Sequence, residues 1–339
     1  MDKSKSFFTA GLIVGVLVAC LIGSMIVRPK ANGSGGARGQ IVLKLGHSLD
    51  EKHPVHQGML FMKKRLEEMT DGRATIDIYS GGVLGGETDC LEQVQKGELV
   101  MTKVSAAAIE AFIPEMKVFS VPYTFRDSEH FWKTMHSPVG RRLLQLGRPL
   151  NFMGLCYYDS GDRNFYSTEK PIRTVADVKN MKIRVMNSRS AMDMIKAMGG
   201  SPCPINWGEL YTALAQGTVD AAENNPPSFI TSRHHEVCKY FTKDGHQRIP
   251  DMLIVSTKVW DTLPQDIREA IQTAADESEI FQRKLWKEET DACMKVAAES
   301  GIEIIEPDKE SFRKACASIL EMEEYADVRE IYAEIQEVK

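Results

Sequence analysis

The chain has 339 residues, 43% of them apolar and 26% charged, with a formal net charge of -5. These values exclude a disordered chain, and with no lysine- or arginine-rich run there is no electrostatic footprint for nucleic acid. The length exceeds one typical domain, so two lobes or one large domain are expected.

Lys3 and Lys5 precede an apolar stretch over residues 7–27, the layout of a secretory signal or an N-terminal anchor. The stretch is about as long as the roughly 20 helical residues that cross a bilayer core. It ends at Arg28 rather than at a small-residue cleavage site, which predicts an uncleaved anchor helix over residues 1–30. Two other outcomes remain open: lipidation at Cys20, where LVAC resembles a lipoprotein box, or cleavage to a soluble form. ANGSGGARG then has the composition of a flexible tether, over residues 31–40. Every one of these outcomes puts the folded part outside the cytoplasm.

From Ile41 short strands and helices alternate. IVLKLGH reads as a strand, and residues 54–70 set Val55, Met59, Met62, Leu66 and Met69 at helical spacing behind Pro54, which suits a first helical turn. ATIDIY alternates with period two, Ser80-Gly81-Gly82 breaks it, and a short helix ends at Gly97. LVMTKVSAAA is a further strand. MKIRVM is another, followed by a cap at Asn187 or Ser188 and a helix that runs to Gly199-Gly200. A helix after Asn206 stops near Gly217, and Asn224-Asn225 lead two prolines in what reads as a rigid loop. Residues 264–300 form one unbroken helical run, about 50 Å long at about 1.5 Å per residue.

Strand-helix alternation predicts an α/β fold. The rhythm restarts after residue 157, which suits two lobes: residues 41–157 with about 250–285, and residues 158–249 with about 286–339. The strands at 152–158 and 251–256 are the expected hinges, and the long helix the expected brace.

Five positions point to recognition of an organic anion. Arg184 ends an apolar strand just before a helix, where open α/β sheets bind ligands, and its guanidinium can grip a carboxylate with two parallel bonds; the alternative is an ion pair at a strand end. Arg163, in YYDSGDRNFYS, lies among Tyr157, Tyr158 and Tyr166, an acid-recognition pocket unless it is a solvated loop arginine. Lys103 interrupts an apolar strand with Met101 and Ser105 on its face, so that face looks into a wet cleft or the strand is an edge protected by charge. Asn224 can donate and accept, and Trp207 can cover an apolar ligand face or simply pack in the core.

His53, at a helix start, is a candidate donor to a bound acid, as Glu87 is a candidate partner at another helix start. The histidines show no HExxH spacing and the seven cysteines no CxxC, so neither a metal nor a redox site is expected. The cysteines read as small core residues. GxSxG, Walker A and dinucleotide patterns are absent, so no cofactor is expected.

LGGE at residues 84–87, MKIRVM around Arg184, GELYTALAQGTVDAAEN at residues 208–224 and the long helix after LPQD together resemble the DctP-type solute-binding subunits of tripartite ATP-independent periplasmic (TRAP) transporters. The resemblance covers nearly everything after the tether. It implies a two-lobed, periplasmic-binding-protein-like fold of type II character, with hinge strands and a long bracing helix. It further implies a monomer that closes around one organic acid, without catalysis, and that delivers it to a small and a large membrane permease subunit.

On this resemblance Arg184 is the carboxylate clamp, Arg163 the second arginine and Asn224 the asparagine that joins them, while Glu87 and Trp207 line the site. Ser105 stands where sialic-acid-binding members look to carry glutamate, and Lys103 is an added cation. YYDSGDRNFYS, GELYTAL, AENNPPSF and SRHHEVCKYF are similar to members that bind hexuronates such as glucuronate or galacturonate. Other organic acids, a sensor module and an exported sugar-acid enzyme using Lys103 and Glu87 are the competing readings.

Overall fold

The computed structural model describes residues 39–339, so the anchor helix, the Cys20 lipidation box and most of the tether lie outside the described residues. Among the described residues no helix is long and apolar enough to cross a membrane.

The first four strands in chain order are β1 (Ile41–Gly46), β2 (Ala74–Tyr79), β3 (Met101–Ser105) and β4 (Phe152–Tyr158). Five more follow: β5 (Arg163–Ser167), β6 (Lys182–Val185), β7 (Ser201–Pro204), β8 (Ala221–Asn224) and β9 (Tyr240–Gln247). The last two are β10 (Asp251–Ser256) and β11 (Glu303–Ile305). The helices that position the site are α1 (Pro54–Met69), α2 (Glu87–Lys96), α3 (Arg189–Ala197), α4 (Pro226–Thr231) and α5 (Gln265–Glu299), and the chain closes with α6 (Arg329–Glu337).

Local chemistry accounts for these boundaries. Pro54 opens α1 behind a His53 cap, and Val55, Met59, Met62 and Leu66 form its fully buried stripe. Gly97 ends α2 because it adopts φ 83°, a left-handed conformation that costs glycine nothing. Ser188, one of the two expected caps, accepts from the Ala191 amide at the start of α3. The proline pair after Asn225 departs from the expected loop. Pro226 and Pro227 occupy the first turn of α4, where a missing N–H is harmless, and Asn225 caps it.

Two sheets result, ordered β2-β1-β3-β10-β4 and β11-β9-β5-β8-β6-β7. In the first, β1 runs parallel to β2 and β3, while β10 lies antiparallel between β3 and β4. Strand β3 is therefore interior, and edge protection does not account for Lys103. In the second, β6 is parallel to β7 and β8, and β5 is antiparallel to β8 and β9. This is the two-lobed α/β architecture expected from the strand-helix rhythm.

Strands β4 and β10 are neighbours within the first sheet, and the chain crosses between sheets in residues 159–162 and 248–250. The two crossings are tied to each other. Ser160 Oγ donates to the Ile249 carbonyl, and Arg248 pairs with Asp162 at 2.8 Å and Asp159 at 3.5 Å. Helix α5 packs on α1 and β4 and also on α4. Its Gln282 clasps the first crossing: Oε1 accepts from the Asp159 amide at 2.8 Å, and Nε2 donates to the Asp159 carbonyl at 2.8 Å. Gly161, at φ 58°, passes so close under this helix that a Cβ would stand 2.9 Å from Trp286 Nε1.

The C-terminal segment passes from one lobe to the other. Residues 309–316 pack on β9 and α3, whereas α6 lies on the first lobe. There the Ile335 carbonyl bonds His130 at 2.9 Å, and Glu334 pairs with Arg142 at 2.9 Å. An apolar cluster accordingly runs through both lobes, from Phe152 and Ile254 to Ile183, Met194 and Phe312. The six described cysteines are unpaired, and five of them are buried.

Candidate functional site

The ends of β3, β5, β6, β8 and β10 face a chamber between the lobes with about 450 Å³ of empty space, part of it open to solvent. Seven of the eight residues singled out from the sequence line it: Glu87, Lys103 and Ser105 on the first lobe, and Arg163, Arg184, Trp207 and Asn224 on the second. His53 is buried behind the wall. It caps α1 through Nδ1, which accepts from the Val55 amide at 3.2 Å, and its Nε2 reaches Ser228 Oγ at 3.1 Å.

Arg184 is 3% exposed, and its Nε donates to the Ile205 carbonyl at 2.9 Å. Trp207 lies over the guanidinium at 5.4 Å from the ring centre, and among the described residues Nη1 has no partner. Burial lowers the pKa of Arg184 from its ordinary value, and no carboxylate among the described residues is salt-bridged to it. A buried charged donor left open in this way is costly unless a ligand answers it.

Arg163 differs. Its Nη2 donates to Glu223 Oε1 at 2.9 Å and to the Glu223 carbonyl at 3.0 Å, and its Nε closes the fork on Oε2. Against the upward push of burial, Arg163 and then His246 hold the Glu223 carboxyl down at about 2. His246 in turn donates to Asp244 at 2.6 Å. The charge of Arg163 is thus spent inside the protein, and its remaining contact orients Asn224. Asn224 Oδ1 accepts from Arg163 Nη1 at 3.2 Å and from the Asn225 amide at 2.9 Å, which leaves the Nδ2 donor for the chamber.

On the opposite wall Lys103 Nζ bridges Glu87 Oε1 at 3.0 Å and Asp251 Oδ1 at 3.1 Å. Burial opposes the ammonium, but Asp251 and Glu87 raise its pKa, so the lysine stays charged. The register explains the meeting: Asp251 pairs with Ser105 across β3 and β10, putting its side chain on the Lys103 face. Glu87 Oε1 also accepts from the Ser105 amide at 3.1 Å. One oxygen of Glu87 and one of Asp251 remain as acceptors.

The tyrosines expected beside Arg163 point elsewhere. Tyr157 donates to the Gly140 carbonyl, Tyr158 shares a bond with Ser278, and Tyr166 with His234, so each buried hydroxyl is satisfied in the core. His234 also lies edge-on to Trp207 at 5.0 Å and steadies it. Asp251, Glu223 and Ser228 were missed from the sequence. A charge inside the apolar strand AAEN was the available sign for Glu223.

A larger groove of about 1970 Å³ runs beside α5. Its partly buried arginines are engaged, Arg283 lying 3.8 Å over the Trp132 ring and Arg248 pairing with Asp162, and its lysines Lys284, Lys287 and Lys309 are exposed to solvent, so it lacks the buried open cation that marks the inner chamber.

Known proteins agree on the class. A profile described as "Bacterial extracellular solute-binding protein, family 7" matches residues 45–326. The uncharacterized protein YiiZ of Salmonella typhimurium is 35% identical over 84% of this chain and 87% of its own length. A TRAP periplasmic solute-binding protein from Sulfitobacter sp. NAS-14.1, solved with bound β-D-galacturonate, is 33% identical and superposes with a TM-score of 0.83, covering 87% of this chain and 97% of that one. Another, from Anaerococcus prevotii with bound D-glucuronate, is 32% identical with a TM-score of 0.84, covering 88% of this chain and 97% of that one. With the match spanning nearly the whole described chain, the protein belongs to family 7 of the bacterial extracellular solute-binding proteins, the DctP family.

Proposed function

We propose that this extracytoplasmic solute-binding protein takes a hexuronate, D-galacturonate or D-glucuronate, and delivers it to TRAP-type membrane permease subunits. The observation that carries the reading is the pairing in one chamber of an open guanidinium, Arg184, with two half-used carboxylates, Glu87 and Asp251. The first suits a carboxylate and the others suit hydroxyls. The bound ligands of the two solved relatives agree with this chemistry. A C4-dicarboxylate fits less well, because its second carboxylate would face Glu87 and Asp251 with only Lys103 to offset them.

The test is a thermal-shift and calorimetric screen of uronates, aldonates and dicarboxylates. Ligand at about 100 times its Kd stabilises the folded state by about 2.7 kcal/mol. Stabilisation by dicarboxylates alone would overturn the hexuronate reading. We further propose that the protein acts as a monomer held at the membrane by residues 1–30, on the strength of the lysine-flanked apolar stretch ending at Arg28. Release of the full chain from membranes by a salt wash would count against that.

A further inference from the structure

We infer that Ser228 is a ligand-contacting hydrogen-bond donor whose direction is set by His53 from the opposite lobe. The inference rests on the acid-binding reading and adds two residues to it.

Helix α1 determines the tautomer of His53. Nδ1 accepts from the Val55 amide at 3.2 Å, so in the neutral ring the proton is on Nε2. That proton points at Ser228 Oγ, 3.1 Å away, and makes the serine oxygen an acceptor. The ring is 1% exposed and packs at 5.7 Å against Trp286, which keeps it from turning over. Burial first, then the charge of Lys103, depresses the imidazole pKa well below its ordinary value, so the neutral form persists.

Ser228 is on the first turn of α4, 3% exposed, and lines the chamber. Its amide is taken by Asn225 Oδ1 at 2.8 Å. Its hydroxyl accepts from His53, and among the described residues no acceptor takes its hydrogen. A hydroxyl bonds as donor and acceptor together, so the free half of this one is a donor that faces the chamber. The outcome is a chain from the cap of α1, through His53 and Ser228, to a ligand oxygen. Asn224 Nδ2 lies nearby on the same lobe, so the ligand group here is one that accepts: a carboxylate or a ring or hydroxyl oxygen. His53 is a positioning residue and does not touch the ligand.

Four variants, measured by calorimetry on the acid of the screen that binds best, test this. S228A is expected to weaken binding about tenfold, the worth of one hydrogen bond to a charged or strongly polar acceptor. H53N keeps a good helix cap but loses the reach to Ser228, and is expected to weaken binding by a similar factor. H53Q caps poorly but returns an N–H near the old Nε2, and is expected to recover most of the affinity. The double variant H53N/S228A should bind no worse than S228A alone. If His53 mattered only as a cap, H53N would outperform H53Q, and that order overturns the inference, as does S228A binding within twofold of wild type. Failure of the wild-type protein to bind any acid is a different result: it removes the acid reading itself, and this inference with it.

Discussion

Replacing Arg184 with lysine isolates the shape of the cation from its charge. The wild-type guanidinium is pinned by the Ile205 carbonyl at 2.9 Å and by the Trp207 face at 5.4 Å, so its outer nitrogens are pre-aimed into the chamber. An ammonium keeps the positive charge but offers a single point in place of the fork, and it cannot hold the Ile205 carbonyl from the same position. One charge-assisted bond to a desolvated carboxylate is worth about 2 kcal/mol, which corresponds to about a 30-fold rise in Kd. The orphaned carbonyl costs about 1 kcal/mol more in the unliganded protein, a fall in Tm of about 2 °C. Titration calorimetry of D-galacturonate into both proteins at neutral pH reads the first quantity, and a thermal scan without ligand reads the second. A variant whose Kd stays within threefold of wild type while its Tm falls would refute the reasoning, since Arg184 would then be a structural residue.

Three further outcomes follow from the charge arrangement. E223Q strips the carboxylate from buried Arg163 and should lower unfolding stability by about 3–5 kcal/mol, seen as a drop in the denaturant midpoint. E87Q removes an acceptor while Lys103 keeps Asp251, so hexuronate affinity should fall about tenfold, whereas an acid without hydroxyls should bind with little change. The third concerns pH. Burial disfavours charge on His246, but Asp244 and Glu223 raise its pKa from 6.5 to about 9, so its stabilisation is complete below 6.5 and is lost as pH rises through about 9. Burial lowers His47 and His234 to about 3, and their contribution is present above 6.5 and is lost as pH falls through about 3. Thermal scans should therefore show Tm highest near pH 6.5, and H246Q should abolish the alkaline decline while leaving the acid one.

Much of the fold was legible because short-range chemistry determines it. Pro54, Gly97, Ser188 and Gly217 mark element ends by backbone rules that hold wherever the chain folds, and the long helix appears in its uninterrupted periodicity. The cations of the site were visible for a similar reason, as charges set in apolar strands. What the sequence could not reveal was partnership. Arg163 and Arg184 look alike in one dimension, yet Glu223 neutralises one and not the other, a difference made only when β8 falls between β5 and β6. Asp251 is 148 positions from Lys103 and meets it through strand register. The same holds for His53, whose imidazole turns to Ser228 because helix α1 occupies the other nitrogen.

The division of donors and acceptors between the lobes carries a kinetic consequence. Arg184, Asn224 and Ser228 stand on the second lobe, and Glu87 and Asp251 on the first. On the proposed function, an incoming acid is held by its carboxylate on the second lobe before the first has touched it, so the encounter is common to organic acids in general. Hydroxyls are checked only when the first lobe arrives. Association rates should then vary little among small acids, and preference should appear as residence time, with poorly hydroxylated acids leaving before the lobes have shut.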